Sequence, residues 1–449
     1  MNLTTVSTTP LSRILNWLRT HPITLITSCI MLGYLVTYLA SPNSPWTELY
    51  VRAADQMVHG KDMYEHKLGF AYPPARALLI VPFLALPAWG QQVAWWMLNV
   101  VCLVLLCQWM WKLAGGLKLE PVTKFTANHF IWLAGILTGI FYVFNGLSNQ
   151  ATDLVEAVFM IAGCVAMSSR RVLLAAAMFG IAAGLKATPF LFCLYLLWHR
   201  QWLATLWMIA VAVGINLLPD LISQCPTAST WLGGWINTYL VQFQNPNYTP
   251  GSWGTLVYYN QALAGMMSRM FLYDWTWSNG SMQLINLTPA LPPMVYKLGL
   301  LGVQAVLLAI CVLGFWRGGS FKGTTTAPIF SYEPGLEYSM VLMLMVLFSP
   351  VSSKSHFCIL ILPGMMLAKV AWEQRSKAIG TLFIVANLIG FIALTWWGEY
   401  VARVSLYYGA VTIKTLLLLA GCAVALSQLR AQQKAVVGNI ERSETKLAA

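Results

Sequence analysis

The chain of 449 residues is too apolar for a soluble protein, because 58% of its residues are hydrophobic and 9% are charged, against about 25% charged in an ordinary soluble domain. Its net charge of +12 could suit nucleic acid, but the basic residues stand at the ends of apolar runs. Composition therefore excludes a soluble enzyme with a single anchor and argues against a nucleic-acid-binding protein.

The basic clusters predict the topology of a polytopic membrane protein. Cytoplasmic loops of such proteins carry an excess of lysine and arginine, so we assign these clusters and both chain termini to the cytoplasm. The residues concerned are Arg13, Arg19, Lys112, Lys118, Lys124, Arg170, Arg171, Arg200, Arg317, Lys322, Arg375, Lys377, Arg430 and Lys434.

The first apolar run covers residues 22–40 and lacks a small-residue cleavage site, which predicts an uncleaved membrane span. The outer loop that follows, over about residues 41–76, contains a predicted helix at 47–59 with Thr47 as its cap and Gly60 as its stop. Four polar residues share one stripe of this helix. Either the stripe is a solvated face with an ion pair at i,i+4, or its acids face a cavity at the membrane boundary. The four are Glu48, Arg52, Asp55 and His59.

The next segments depart from simple spans. Residues 77–88 are short for a span and contain Pro82, so we predict a re-entrant segment. Two further short runs, 172–185 and 190–198, flank Lys186 and predict a broken pair that leaves this lysine facing an outer cavity. The other spans are predicted at 93–111, 128–144, 154–168, 202–218, 298–316, 338–350, 357–370, 378–397 and 408–425.

The predicted fold is thus an all-α bundle of about 12 transmembrane helices. Residues 1–430 form one integral membrane domain, with outer loops at about 41–76 and 219–297 that bear amphipathic helices. Residues 431–449 form a polar cytoplasmic tail.

Acidic residues lie at the outer end of the predicted hairpin between 128–144 and 154–168. The spacing places Asn149, Asp153 and Glu156 on one helix face. Ionisable groups in a membrane span are costly and are functional candidates by default. Asp153 could equally cap the helix at the positive end of its dipole, whereas Glu156 lies one turn deeper and is harder to explain in that way.

Four basic residues are predicted at the outer boundary, where charge-assisted hydrogen bonds could hold a lipid phosphate. Lys186 lies in the broken pair, and Lys354 and His356 lie in a serine-rich turn that favours a binding site. For Arg269 we favour snorkelling of the side chain to lipid headgroups.

Several short motifs occur in an order that resembles glycosyltransferase family 87, the polyprenyl-phosphate-mannose-dependent α-1,2-mannosyltransferases of the GT-C superfamily. The resemblance covers most of the chain, from residue 46 to residue 357. It implies a GT-C-type bundle and binding of the substrates by residues of the motifs. The matching parts are Tyr50-Val-Arg-Ala-Ala with Gly60 and Tyr64, Tyr72-Pro-Pro, Asn149-Gln150, Gly184-Leu-Lys186-Ala-Thr-Pro, Asn260-Gln-Ala-Leu, and Ser349-Pro-Val-Ser with His356.

The resemblance also implies an aspartate base about four residues before Tyr50, where this chain has Trp46. Three possibilities follow: a carboxylate of the loop helix replaces it, Glu48 first and Asp55 second; Asp153 or Glu156 replaces it; or transfer activity is lost. The residues expected to bind the substrates are Tyr50, Arg52, Tyr64, Tyr72, Asn149, Gln150, Asp153, Lys186, Asn260, Lys354 and His356.

The expected function is transfer of a hexose, mannose by family resemblance, from a polyprenyl-phosphate sugar to a lipid or glycan acceptor. The reaction inverts the anomeric carbon, with a carboxylate base and cations that stabilise the leaving phosphate. We expect no metal and no cofactor, an extracytoplasmic site, and a multi-pass protein of the inner (plasma) membrane. The alternatives are a transporter or lipid-sugar flippase, whose spans and buried acids would look similar, and a catalytically degenerate relative.

Overall fold

The computed structural model describes residues 22–40, 44–65, 70–116, 125–241, 258–272, 291–315 and 332–448. Much of the predicted outer loop 219–297 and several predicted cytoplasmic basic residues lie outside the described residues. These are Arg13, Arg19, Lys118, Lys124, Arg317 and Lys322.

The described chain is helical throughout, with short 3-10 and π-helical turns at several helix ends. The α-helices are α1 (Pro22–Ala40), α2 (Arg52–Val58), α3 (Pro74–Ile80), α4 (Ala88–Leu113), α5 (Ala127–Ser148), α6 (Asp153–Ser168), α7 (Val172–Leu185), α8 (Leu191–Trp198), α9 (Trp202–Leu217), α10 (Trp231–Trp235), α11 (Leu263–Phe271), α12 (Pro293–Phe315), α13 (Tyr332–Phe348), α14 (Ile361–Gln374), α15 (Lys377–Ile392), α16 (Glu399–Tyr407) and α17 (Ala410–Ala448).

Six helical segments among the described residues are long and apolar enough to cross a bilayer, which makes this a multi-pass membrane protein. They are Ala88–Leu113, Ala127–Ser148, Trp202–Leu221, Pro293–Phe315, Lys354–Gln374 and Ala410–Gln432. The shorter apolar helices include Ile26–Ala40 and Lys377–Ile392, at two further predicted spans, and Val172–Leu185 of the predicted broken pair. The total of about 12 spans and the re-entrant course of 77–88 remain predictions.

The centre of the bundle is formed by α13 and by the segment that leads into α14. In Lys354–Gln374, 89% of the span is buried inside the protein, against 17% in Pro293–Phe315, so α12 is peripheral. Glycines allow α5 and α14 to approach closely. A Cβ atom at Gly139 would lie 2.6 Å from Ile361, and one at Gly364 would lie 2.6 Å from Thr138, which any larger residue would prevent.

The helix of the first outer loop is confirmed, but its predicted start is wrong. It begins one residue earlier, as a π-helical turn at Trp46–Val51 that continues into α2, and its cap is Pro45 rather than Thr47. The stop at Gly60, which has φ +63°, is confirmed. The predicted polar stripe is also present, because Glu48, Arg52, Asp55 and His59 are all exposed.

The turn between α5 and α6 corrects one prediction at the hairpin. Asn149, Asp153 and Glu156 do not share a helix face, because the chain reverses at Gln150, which has φ 51°. Asn149 is left exposed at the end of α5, and its amide donates back to Asn145 O. Asp153 and Glu156 occupy the first turn of α6 and are buried.

The break between α7 and α8 is confirmed. Lys186 follows α7 in an extended conformation, and a 3-10 turn at Thr188–Phe190 leads into α8. Asn216 of α9 supports this break, since its amide donates to Gly184 O at 3.0 Å. The same side chain accepts a hydrogen bond from the backbone of Ala75 at 2.9 Å and so holds the start of α3 against the break.

Candidate active site

Charged side chains from four separate segments meet in one buried cluster. Asp153 and Glu156 come from the first turn of α6, Lys186 from the break after α7, Arg76 from α3, and His356 from the 3-10 segment Lys354–Leu360. A small cavity lies against four of these groups. Its polar lining comprises Asp153, Glu156, Lys186, Thr188, Ser352 and His356.

Two cations compensate the two buried acids. Arg76 Nη2 lies 2.9 Å from Glu156 Oε2, and Arg76 Nε donates to Leu185 O at 3.0 Å. Lys186 Nζ lies 3.7 Å from Asp153 Oδ1 and 3.7 Å from Glu156 Oε2. Arg76 is 1% exposed, so its pair with Glu156 is shielded from solvent, whereas Lys186 borders the cavity between the acids. Lys186 is therefore the cation that can approach a bound anion.

Asp153 has a second partner in His356. Nε2 of His356 lies 3.2 Å from Asp153 Oδ1, and both side chains are less than a tenth exposed. The other ring nitrogen, Nδ1, is buried and has no hydrogen-bond partner in the part of the chain that the structure describes. His356 therefore has one ring nitrogen that no described residue binds, and the residue itself lines the cavity.

Two tyrosines form an aromatic wall beside the cluster. Tyr50 and Tyr72 are stacked, with ring centroids 6.1 Å apart, and the Arg76 guanidinium lies 3.8 Å from the Tyr72 ring centroid. Burial raises the pKa of both tyrosine hydroxyls above the usual value, with Arg76 opposing the shift in each case. Both therefore stay neutral at physiological pH and can act as hydrogen-bond donors.

Three other predicted site residues are buried in structural contacts. Tyr64 packs against Phe70 and Tyr239. The side-chain oxygen of Gln150 accepts a hydrogen bond from Ser44 Oγ at 2.8 Å. Its backbone carbonyl accepts one from the Trp95 indole N–H at 3.1 Å. The Asn260 side chain joins the loop that precedes His356, donating to Pro350 O at 3.0 Å and accepting from Ser352 N at 3.0 Å.

The loop-helix acids lie apart from the cluster. Glu48 and Arg52 line a different depression of about 280 Å³, together with Gln56 and Asp62. They form no ion pair with each other in the described structure; the pair on this face joins Asp55 and His59, at 3.3 Å between Oδ1 and Nδ1. The structure thus places Glu48 and Asp55 on the exposed side of a helix whose opposite side, with Trp46 and Tyr50, is buried.

Trp46, at the position where the family resemblance implies an aspartate, is completely buried. Its ring stacks on Trp95 with centroids 4.3 Å apart and meets Phe83 edge-on at 5.5 Å. It also lies 6.3 Å from Tyr50, measured between ring centroids. An aromatic cluster therefore occupies the place expected for the base.

The remaining boundary cations behave differently from one another. The snorkelling predicted for Arg269 is wrong, because its side chain is 1% exposed and donates to the backbone carbonyls of Asn260, Leu406 and Tyr407. Lys354 is half-buried, with its ammonium 5.8 Å from the Tyr259 ring centroid, and it does not line the cavity.

Arg76 was not among the predicted site residues. Its signal in the sequence is its position at the end of Tyr72-Pro-Pro-Ala-Arg76, within the first turn of a segment too short to span the membrane. An arginine at membrane depth requires a buried partner, and Glu156 was already singled out as an unexplained buried acid. Pairing the two would have required knowledge of how α3 lies relative to α6. Among the described residues, no group of three His, Cys, Asp or Glu side chains is arranged to hold a metal ion.

Comparison with known proteins gives two matches and one negative result. A sequence model of glycosyltransferase family 87 matches residues 70–350. The chain is 25% identical over 416 residues to the polyprenol-phosphate-mannose-dependent alpha-(1-2)-phosphatidylinositol pentamannoside mannosyltransferase of Mycolicibacterium smegmatis, covering 89% of this chain and 90% of that protein. No solved structure matches the chain. The family match includes Arg76, Asp153, Glu156 and Lys186, whereas Glu48 lies before it and His356 after it.

Proposed function

Because this chain belongs to glycosyltransferase family 87 and is a membrane glycosyltransferase, we propose that it transfers mannose from a polyprenyl-phosphate donor to a lipid or glycan acceptor. The proposed donor follows the name of the Mycolicibacterium smegmatis relative. We propose further that transfer inverts the anomeric carbon and occurs at the extracytoplasmic face of the plasma membrane. No cofactor takes part in this proposal, since the sugar is already activated by its lipid phosphate.

The observation that carries the proposal is the single cavity lined by Asp153, Lys186 and His356. A phosphate leaving the sugar gains negative charge in the transition state, and fixed cations or donors in a buried site stabilise such charge strongly. Lys186 can supply the cation and His356 a hydrogen bond. Lys354 is a further candidate, because it begins the 3-10 segment that carries His356.

For the base we propose Asp153. The acceptor hydroxyl loses its proton to a carboxylate as its oxygen attacks the anomeric carbon, and the bond from that carbon to the phosphate oxygen breaks. The base must therefore reach the acceptor hydroxyl on one side of the anomeric carbon, while the leaving phosphate is held on the other side. Asp153 lines the same cavity as Lys186 and His356, whereas Glu48 and Asp55 lie on the exposed face of the loop helix. Glu156 is less suited, since Arg76 already binds its carboxylate.

The test is a comparison of three variants in a transfer assay with polyprenyl-phosphate mannose and membrane lipid acceptors, with the product identified by mass spectrometry. We expect Asp153→Asn to lower kcat by about 10²- to 10⁴-fold, the usual contribution of a general base. Glu48→Gln and Asp55→Asn should retain activity within about threefold, because both side chains are exposed.

One control and two contrary outcomes make the test decisive. Thermal unfolding of each purified variant shows whether loss of activity reflects loss of the fold. Loss of transfer in Glu48→Gln with full activity in Asp153→Asn would move the base to the loop helix and leave the class of reaction standing. Absence of any mannosylated product from the unaltered protein with this donor would contradict the proposed donor itself.

A further inference from the structure

A second, much larger cavity lies on the membrane-facing side of the bundle, behind the segment that carries His356. Its volume is about 1180 Å³, and its walls are formed by α5 and α15. The lining is almost wholly apolar, and several of its side chains, such as Phe130 at 53% and Leu388 at 58%, are exposed. We call it the lipid-side groove, defined by Phe130, Leu137, Phe141, Leu388, Phe391 and Lys414.

The one lysine in this lining is buried and has no carboxylate partner. Lys414 of α17 is 3% exposed, and its ammonium donates to Thr138 O at 2.7 Å and lies 5.1 Å from the Tyr142 ring centroid. No Asp or Glu within the described residues forms an ion pair with it. A buried ammonium in apolar surroundings is costly unless an anion compensates it.

Residues of α5 and α15 pack around the Lys414 side chain and hold it at the groove. A Cβ atom on Gly390 would lie 2.5 Å from Lys414 Cδ, so a larger residue at this position would displace the lysine side chain. The Tyr142 ring packs against Phe357, with centroids 5.9 Å apart, which joins the groove wall to the segment that carries His356. The lysine end of the groove is therefore on the same side of the membrane as the cluster of acids and cations.

The length of the groove suits a single acyl chain. Phe130 and Phe141 are eleven residues apart on α5, which corresponds to about 16 Å of helix, close to half of the hydrocarbon thickness of a bilayer. Exposed Trp396 borders the lysine end, where aromatic residues mark the boundary between hydrocarbon and headgroups. An acyl chain that enters from the outer headgroup level would run along the groove towards Phe130, near the start of α5.

We propose that the lipid-side groove binds one anionic diacyl phospholipid, distinct from the sugar donor, with an acyl chain between α5 and α15 and a phosphate oxygen accepting a hydrogen bond from Lys414. The phosphate supplies the negative charge that the protein does not provide. The acyl chain covers the apolar lining of the groove, which would otherwise face disordered lipid.

The test is native mass spectrometry of the purified full-length protein, titrated with phosphatidylglycerol or with phosphatidylcholine of the same acyl chains. We expect one phosphatidylglycerol to bind at least about tenfold more tightly than phosphatidylcholine, and Lys414→Met to remove that preference, because a hydrogen bond to a charged group is lost. Lys369→Met is the matched control, since Lys369 is also a buried lysine bonded to a backbone carbonyl, but it does not line the groove.

A second variant keeps the test possible if Lys414→Met does not fold. Leu137→Trp fills the groove from α5 without touching the charge, and we expect it to abolish binding of phosphatidylglycerol. Unchanged binding in either folded variant would overturn the proposal. Displacement of phosphatidylglycerol by polyprenyl phosphate, one for one, would also overturn it, because the groove would then hold the donor. These binding measurements do not depend on transfer activity, so their result can be told apart from that of the transfer assay.

Discussion

At the scale of single residues, the buried ion pairs distinguish this site most clearly from its surroundings. Arg76 and Glu156 are 80 residues apart in sequence and meet at 2.9 Å with almost no exposure. Removal of one member of such a pair leaves the other charge buried and uncompensated, while removal of both can be nearly neutral. The pair is therefore a sensitive probe of whether α3 packs against α6 as described.

We predict that Arg76→Met lowers the free energy of unfolding by about 3–5 kcal/mol, because Glu156 keeps only the more distant Lys186. The double variant Arg76→Met, Glu156→Gln should lose clearly less, since the uncompensated charge is gone. Unfolding in detergent, followed by tryptophan fluorescence, measures both. Arg52→Met is the control, because Arg52 is exposed and its loss should cost less than about 0.5 kcal/mol. Equal losses in the single and double variants would contradict the pairing.

At the scale of elements, a network around Asn260 and Gln261 positions the segment that carries His356. Asn260 bonds Pro350 and Ser352, and Gln261 N donates to Ser352 O at 2.7 Å. Arg269 fixes the same region from the other side, through the Asn260 carbonyl at 2.7 Å and the end of α16. Two of the motifs in the resemblance, the one that begins at Asn260 and the one that begins at Ser349, are thus in contact just before the 3-10 segment that carries His356.

We predict a graded loss of activity in Asn260 variants, in the order unaltered protein, Asn260→Asp, Asn260→Ala. The aspartate keeps the two acceptor contacts with Ser352 and Ala262 and loses the donor to Pro350, whereas alanine loses all three. The measurement is kcat and KM in the transfer assay. A positioning role predicts that kcat falls by about tenfold or more in Asn260→Ala while Asn260→Asp recovers most of it. Equal losses of kcat in Asn260→Asp and Asn260→Ala would contradict this role.

At the scale of the whole molecule, α13 links two buried polar clusters at opposite ends. Its last residues lead into Ser349 and the segment of His356. Near its beginning, Glu337 accepts a hydrogen bond from Tyr195 at 2.9 Å and pairs with Arg430 of α17 at 3.1 Å. This second cluster joins α8, α13 and α17 and lies on the side that the basic loops predict to be cytoplasmic.

The predicted orientation can be tested with single introduced cysteines and a membrane-impermeant maleimide. Asp55→Cys, on the exposed face of the loop helix, should be labelled in intact spheroplasts above the level of the parent protein. Lys377→Cys, exposed at the start of α15, should be labelled only after permeabilisation. The reverse pattern would place the cavity of Asp153 and His356 on the cytoplasmic side and contradict the proposed face of the reaction.

The sequence alone predicted most helices to within a few residues, since long apolar runs with basic ends leave a chain few alternatives in a bilayer. It also singled out Asp153, Glu156, Lys186 and His356, because charge at membrane depth is costly and therefore conspicuous. It could not pair them, because these residues come from segments far apart in the chain and only packing fixes their distances.

What the sequence determined by itself is the class of the molecule: a helical membrane protein whose few buried charges mark its site, as the hydrophobic effect and the cost of burying charge require. Only the tertiary structure decided which face of each helix is buried. It directed Trp46 and Tyr50 inward and Glu48 and Asp55 outward on one helix, and it brought Arg76 to Glu156 and Asp153 to His356. The reason is that periodicity fixes which residues share a face, whereas the neighbour that the face meets depends on contacts between distant segments.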